Sequence, residues 1–178
     1  SKFPADQPVH FTTDDAEMVA AAGSGTLRQT IDAVISEGVT ASIVACVPDI
    51  LVGDTDDQIM AKMVGSPSSH TGIYALLAAQ AETGAEPDVL IAPGYTSQRP
   101  GNAANPVATA FDGICDKIIT AVAVCSAPSS DKLAAVEWAA DFAETMNIIA
   151  LAQGARVSVD GLPVVRDAAA HVAALMVK

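Results

Sequence analysis

The sequence predicts an α/β protein, with a layered, largely parallel β-sheet flanked by helices and built from repeated βα units. Three observations predict it. Four short segments, residues 41–47, 89–92, 119–125 and 148–152, are almost continuously apolar. None of them alternates as a strand with one wet face does, and strands buried on both faces by covering helices read this way. Stretches with apolar residues at helical spacing lie between them, so strands and helices alternate along the chain.

A fifth strand candidate, residues 9–12, opens the series. Thr26-Leu27-Arg28-Gln29 fits a capping box, in which a hydroxyl and an amide each satisfy an orphan backbone donor. Leu27, Ile31, Val34 and Ile35 follow at helical spacing, and Gly38 stands where positive φ ends a helix. Thr71 is placed to cap a second helix, with Ile73, Leu76 and Leu77 on one face and Gly84 at its end. A third helix is expected over 105–117. A fourth follows Pro128-Ser129-Ser130-Asp131, with a serine cap and a face of Leu133, Val136, Ala140 and Phe142. A last one covers 166–177. Residues 1–178 read as a single α/β domain. Within it, 48–70 is a loop or helical excursion, 95–105 a loop, and 153–163 a turn or hairpin around Asp160-Gly161.

Apolar residues make up 51% of the chain and charged ones 17%, which excludes general disorder. No apolar run approaches the roughly 18–20 residues that cross a bilayer, and the start does not resemble a signal peptide, so a soluble protein is expected. The net charge of −12, with nine scattered Lys and Arg, argues against nucleic acid as a partner. Cys46, Cys115 and Cys125 are odd in number and lack metal-site spacing, which points to reduced core thiols.

An α/β layer invites a nucleotide-binding reading, but the motifs fail it. Gly23-Ser24-Gly25 is followed by Arg28 where a dinucleotide fingerprint needs a third glycine, and no Walker lysine follows. Asp54-Thr55-Asp56-Asp57 begins like a calcium loop, but Gln58 and Ile59 stand where a further acidic ligand and the obligatory glycine belong, so it reads as a helix cap or a solvated turn. Asp14 and Glu17 are spaced as a capping-box variant. His10, His70 and His171 have no second ligand at i+3 or i+4. No serine sits in a GxSxG elbow. Pro93-Gly94-Tyr95-Thr96-Ser97 leaves a strand at its carboxyl end, where α/β ligands bind, and with His70 forms the only alternative site, that of a small-molecule-binding domain or enzyme. No base or phosphate clamp stands beside it. No catalytic, cofactor-binding or metal-binding residue is therefore assigned, and no cofactor is implied.

Several segments together resemble one family. Thr71-Gly72-Ile73-Tyr74-Ala75-Leu76-Leu77, followed by Thr83-Gly84-Ala85-Glu86-Pro87 and the strand ending Ile91-Ala92-Pro93-Gly94, is similar to a signature stretch of Mu-like phage tail sheath proteins. Gly25-Thr26-Leu27 with Ile31-Asp32-Ala33-Val34 upstream, and Asn105-Pro106-Val107-Ala108 downstream, resemble the family's flanking segments in the same order. The closing Asp167–Leu175 resembles its last helix, with Ala173 where that family usually has glycine. The resemblance implies a structural subunit of a contractile tail, not an enzyme. Its partners would be other sheath subunits in a helical stack of rings, the tail tube and the baseplate. Its location would be the virion of a phage or prophage, and the host cytoplasm during assembly. Neither nucleic acid nor membrane insertion is implied. Relative to that family the chain looks like a truncated central portion without the polymerising arms, and is expected to be monomeric in dilute solution.

Overall fold

The computed structural model describes residues 2–128, 131–152, 154–159 and 161–178. Among the described residues it is an α/β structure in which seven strands form three sheets. β1 (Pro8–Thr12) and β2 (Ser42–Cys46) pair antiparallel, with His10 opposite Val44. β3 (Val89–Leu90), β4 (Val122–Ala127) and β5 (Ile148–Ala152) form a parallel sheet in the order β3-β4-β5. β6 (Gly154–Val159) and β7 (Leu162–Asp167) form an antiparallel hairpin.

All five expected strands are present, yet they do not share one open layer. The βα repetition is confined to β3, α5 (Pro106–Cys115), β4, α6 (Lys132–Asp141) and β5. β4 is central and its residues 123–127 are buried, as a strand covered on both faces requires. The first two strands instead form a separate ribbon, with α1 (Ala16–Ala21) and α2 (Thr26–Ser36) between them in sequence. The stretch around Asp160-Gly161 is longer than a turn. It is a hairpin with six residues in each strand, although Asp160 itself lies outside the described residues.

Local chemistry explains most element ends. Asp15, rather than Asp14, caps α1, accepting from the Glu17 and Met18 amides at 3.1 Å each. Asp14 takes the Thr12 hydroxyl instead. The capping box expected at Thr26 does not form. Gly25 occupies the N-cap without a side-chain bond, and Thr26 is already helical, its carbonyl accepting the Thr30 hydroxyl. A true capping box stands at α3 (Asp56–Val64), where the Thr55 hydroxyl accepts from the Gln58 amide and the Gln58 side chain from the Thr55 amide.

Thr71 holds an N-cap position, but its hydroxyl accepts from the Ser66 amide. The helix it precedes begins as a 3-10 segment, Gly72–Ala78, and continues as α4 (Ala79–Thr83). Gly84 ends it at φ 76°, where a side chain would be strained. Before it, Gly65 and Gly72 cross at backbone distance. A Cβ on Gly72 would lie 2.6 Å from the Lys62 carbonyl oxygen. Asn105 caps α5 by accepting from the Ala108 amide. Asp131 caps α6 through the Leu133 amide, and the serines expected to help lie outside the described residues.

α6 turns a different face inward than its spacing suggests. Leu133 and Val136 are 62% and 56% exposed, whereas Trp138 is fully buried. The helix is alanine-rich, so the one large ring decides the orientation. The last helix, α7 (Ala168–Met176), starts two residues later than expected because β7 runs through Arg166 and Asp167. The main core gathers Leu90, Phe111, Ile114, Ala123, Cys125 and Trp138 between α5, β4 and α6. A second cluster, Phe3, Phe11, Ile31 and Ala45, seats the first ribbon on α2.

Candidate functional site

The carboxyl end of the parallel sheet is the place where this architecture would hold a ligand. β3 is only two residues long, so beyond Leu90 the central strand β4 loses its neighbour on that side. Thr96 fills the gap. Its hydroxyl accepts from the Ser126 amide at 2.9 Å and donates to the Ser126 carbonyl at 3.3 Å, and it is 1% exposed. The Thr96 carbonyl in turn accepts from the Trp138 indole nitrogen at 2.9 Å.

The rest of the 95–105 loop is fixed in the same manner. The Asn105 amide donates to the Tyr95 and Gln98 carbonyls at 3.0 and 2.9 Å while its oxygen caps α5. Arg99 pairs with Glu137 at 2.7 Å and Asp141 at 2.9 Å, tying the loop to α6. These carboxylates raise the Arg99 pKa, the Asp141 hydrogen bond contributing most. Asp167 closes the edge. Its carboxylate accepts from the Gly94 amide, the Ser126 hydroxyl and the Ala169 amide at 3.0, 2.6 and 2.9 Å. The polar groups gathered here are thus engaged with one another, as a loop brace requires. Sequence reading missed Asp167, Ser126 and Arg99 as members of this network, because their partners lie 30 to 73 residues away in the chain.

A cleft of about 420 Å³ lies beside this brace, between α2, Pro93-Gly94 and β7, with Gln29, Arg166 and Asp167 in its wall. Asp167 is committed as described, and the Thr30 hydroxyl donates to the Thr26 carbonyl. Among the described residues lining it, no nucleophile stands beside a base. His70, the other half of the alternative site, is exposed and does not line the cleft.

The remaining candidates are dispersed. His10 meets the Ser42 hydroxyl at 2.7 Å on the antiparallel ribbon. His171 is buried in α7, with Nδ1 2.7 Å from Glu37. Among the described residues no group of three His, Cys, Asp or Glu is arranged to hold a metal. Burial pushes the Cys46 and Cys125 thiols up to about 12 and Cys115 to about 11, so at neutral pH all three are protonated and poor nucleophiles. Among the described residues, no helix is long and apolar enough to cross a membrane.

The described residues form an α/β fold in which the polar groups at the strand ends are braced against one another. Comparison with known proteins gives this class a particular likeness. The chain is 37% identical over 79 residues to a prophage major tail sheath protein of Pseudomonas aeruginosa strain UCBPP-PA14, covering 44% of this chain and 19% of the relative. It is 28% identical over 123 residues to the tail sheath protein of Escherichia phage P2, covering 65% of this chain and 29% of the relative. No family model matches. The matched regions span less than a third of each of these curated relatives, and the resemblance to tail sheath proteins read from the sequence is shared by both.

Proposed function

We propose that this chain is part of a structural subunit of a contractile phage or prophage tail sheath, and that it has no catalytic role. The likeness to two tail sheath proteins carries the proposal. It is supported by the strand-end brace, which commits to loop packing the groups a catalytic site would need free. In this reading residues 1–178 act as one α/β domain, and the βα units of β3, β4 and β5 move as a rigid body. The subunit packs against copies of itself around a tail tube above a baseplate, and contraction of the stack drives the tube through the host envelope. The subunit belongs to the virion and is assembled in the host cytoplasm. The acidic charge keeps free subunits apart before assembly. The 178-residue chain alone is monomeric in dilute solution, and light scattering that revealed long polymers would contradict that.

Quantitative mass spectrometry of purified contractile tails, from the phage or prophage whose genome encodes this chain, tests the proposal. Peptides from residues 1–178 are expected at many copies per particle, in proportion to the tube protein. A handful of copies per tail, or none, would overturn it.

A further inference from the structure

We propose that the β6–β7 hairpin is a docking arm that seats in an acidic groove of a second copy of this chain. The inference rests on the sheath reading and deepens it by naming one subunit contact.

The hairpin follows β5 in the chain and forms a sheet of its own. A single residue separates β5 from β6, and the two paired strands of six residues each span about 20 Å. An isolated two-stranded hairpin is at best marginally stable in water. This one carries apolar side chains in the open on both faces. Leu162 and Val164 lie on one face, 68% and 38% exposed, and Val165 lies on the other, 69% exposed. Such an arm is stabilised by being covered.

Its charge indicates what covers it. The chain has four arginines. Arg28 pairs with Asp32 at 2.8 Å, and Arg99 with Glu137 and Asp141. The other two, Arg156 and Arg166, form no ion pair among the described residues, and both stand on the hairpin. Arginine among apolar residues is the composition of a contact centre, and its guanidinium fork selects carboxylates. A second copy is a rich source of these, with 21 Asp and Glu against nine Lys and Arg.

The acceptor lies at the opposite end of the same strand. Just before β5, a groove of about 340 Å³ is lined by Asp112 of α5, Asp141 of α6, and Phe142, Glu144 and Thr145. Glu144 has no hydrogen bond or ion pair among the described residues, and Met146 nearby is 95% exposed. β5 therefore runs from a groove holding Glu144 toward an apolar hairpin whose sequence carries two arginines and two aspartates, of which Asp167 is already committed to Gly94, Ser126 and Ala169. Arm and groove are different surfaces, so the contact repeats head to tail and does not close as a two-fold dimer. A single contact of this size is weak, which agrees with a monomer in dilute solution and an ordered array at high local concentration.

Two measurements on the full 178-residue chain test this. Sedimentation velocity across a concentration series is expected to show reversible association that weakens with salt. It should weaken at least tenfold in an Arg156→Glu, Arg166→Glu variant and recover when that variant is mixed with Glu144→Lys. Separately, a Val165→Cys chain mixed with a Glu144→Cys chain and a mild added oxidant, which takes up the two electrons and two protons of the thiols, should give a disulfide-linked heterodimer that neither forms alone. Thermal melting of each variant checks that the fold is retained. Association indifferent to both charge reversals, or neither association nor cross-link at the highest soluble concentration, would overturn the proposal. If tails contain this chain but assemble normally with the double reversal, the arm is wrong and the sheath reading stands. If tails lack the chain altogether, the sheath reading itself has failed.

Discussion

Replacing Thr96 by valine asks whether the carboxyl end of the sheet is a brace or a binding site. The two side chains are nearly the same shape, so the change removes a hydroxyl with little loss of volume. In the protein that hydroxyl is the acceptor for the Ser126 amide at 2.9 Å, and both residues are at most 1% exposed. Valine leaves a buried N–H on the central strand without a partner, which costs about 1–3 kcal/mol. The 3.3 Å bond to the Ser126 carbonyl adds little, because that oxygen keeps a second lone pair for other partners. A loss near 2 kcal/mol lowers the melting temperature of a domain this size by about 4–8 °C. Thermal and urea unfolding followed by circular dichroism would measure it. Thr96→Ser is the control. It keeps the hydroxyl and deletes one methyl, at about 1 kcal/mol, so serine should fall between wild type and valine. A valine variant as stable as wild type, or more stable than the serine one, would refute the brace, since polar groups held ready for a ligand are commonly removable without loss of stability.

Three further perturbations follow from the same geometry. Trp138→Phe keeps a large ring but leaves the Thr96 carbonyl without its indole donor, so a loss of about 1–2 kcal/mol in urea unfolding is expected. Gly72→Ala places a methyl 2.6 Å from the Lys62 carbonyl oxygen at a φ of 58°. It should cost about 3 kcal/mol or prevent soluble expression, whereas a normal melt would mean that this crossing is looser than described. Stability should also fall in alkali. The folded thiols titrate near 11 to 12 and unfolded ones near 8.5, so the native state holds more protons between those values. The stabilisation is complete below about pH 8.5 and is lost upward toward pH 11, at up to about 1.4 kcal/mol per pH unit for each thiol. Urea midpoints from pH 7 to 10 check this, and a midpoint that rises over that range would contradict it.

Much of the α/β character was legible in the sequence, because burial on both faces leaves a mark on composition. The uninterrupted apolar run of β4 is the clearest case. Pairing was not legible, since which strands meet depends on contacts tens of residues apart. Nothing local says that residues 8–12 join residues 42–46 antiparallel instead of entering the parallel sheet. The face of α6 was hidden for another reason. With alanine at four of its ten positions, its apolar spacing is nearly uniform, and a single tryptophan with a buried donor fixes the rotation. The hairpin did leave a signal, the alternation Arg156-Val157-Ser158-Val159 before Asp160-Gly161, but a turn read alone does not show how far its strands run. Likewise Thr96 was visible as the end of a strand loop, while its partner Ser126 lies 30 residues on. The brace gives the polar residues at the strand ends a structural use.

A sheath role for this chain has a direct structural consequence. Electron cryomicroscopy of intact and contracted tails from the encoding phage or prophage tests it most directly. Density is expected for the β3-β4-β5 sheet with α5 and α6, repeated helically outside the tube. That unit should keep its internal form while its contacts with neighbouring copies change on contraction. A sheath map with no place for this domain, or this domain found only away from the tail, would contradict the account.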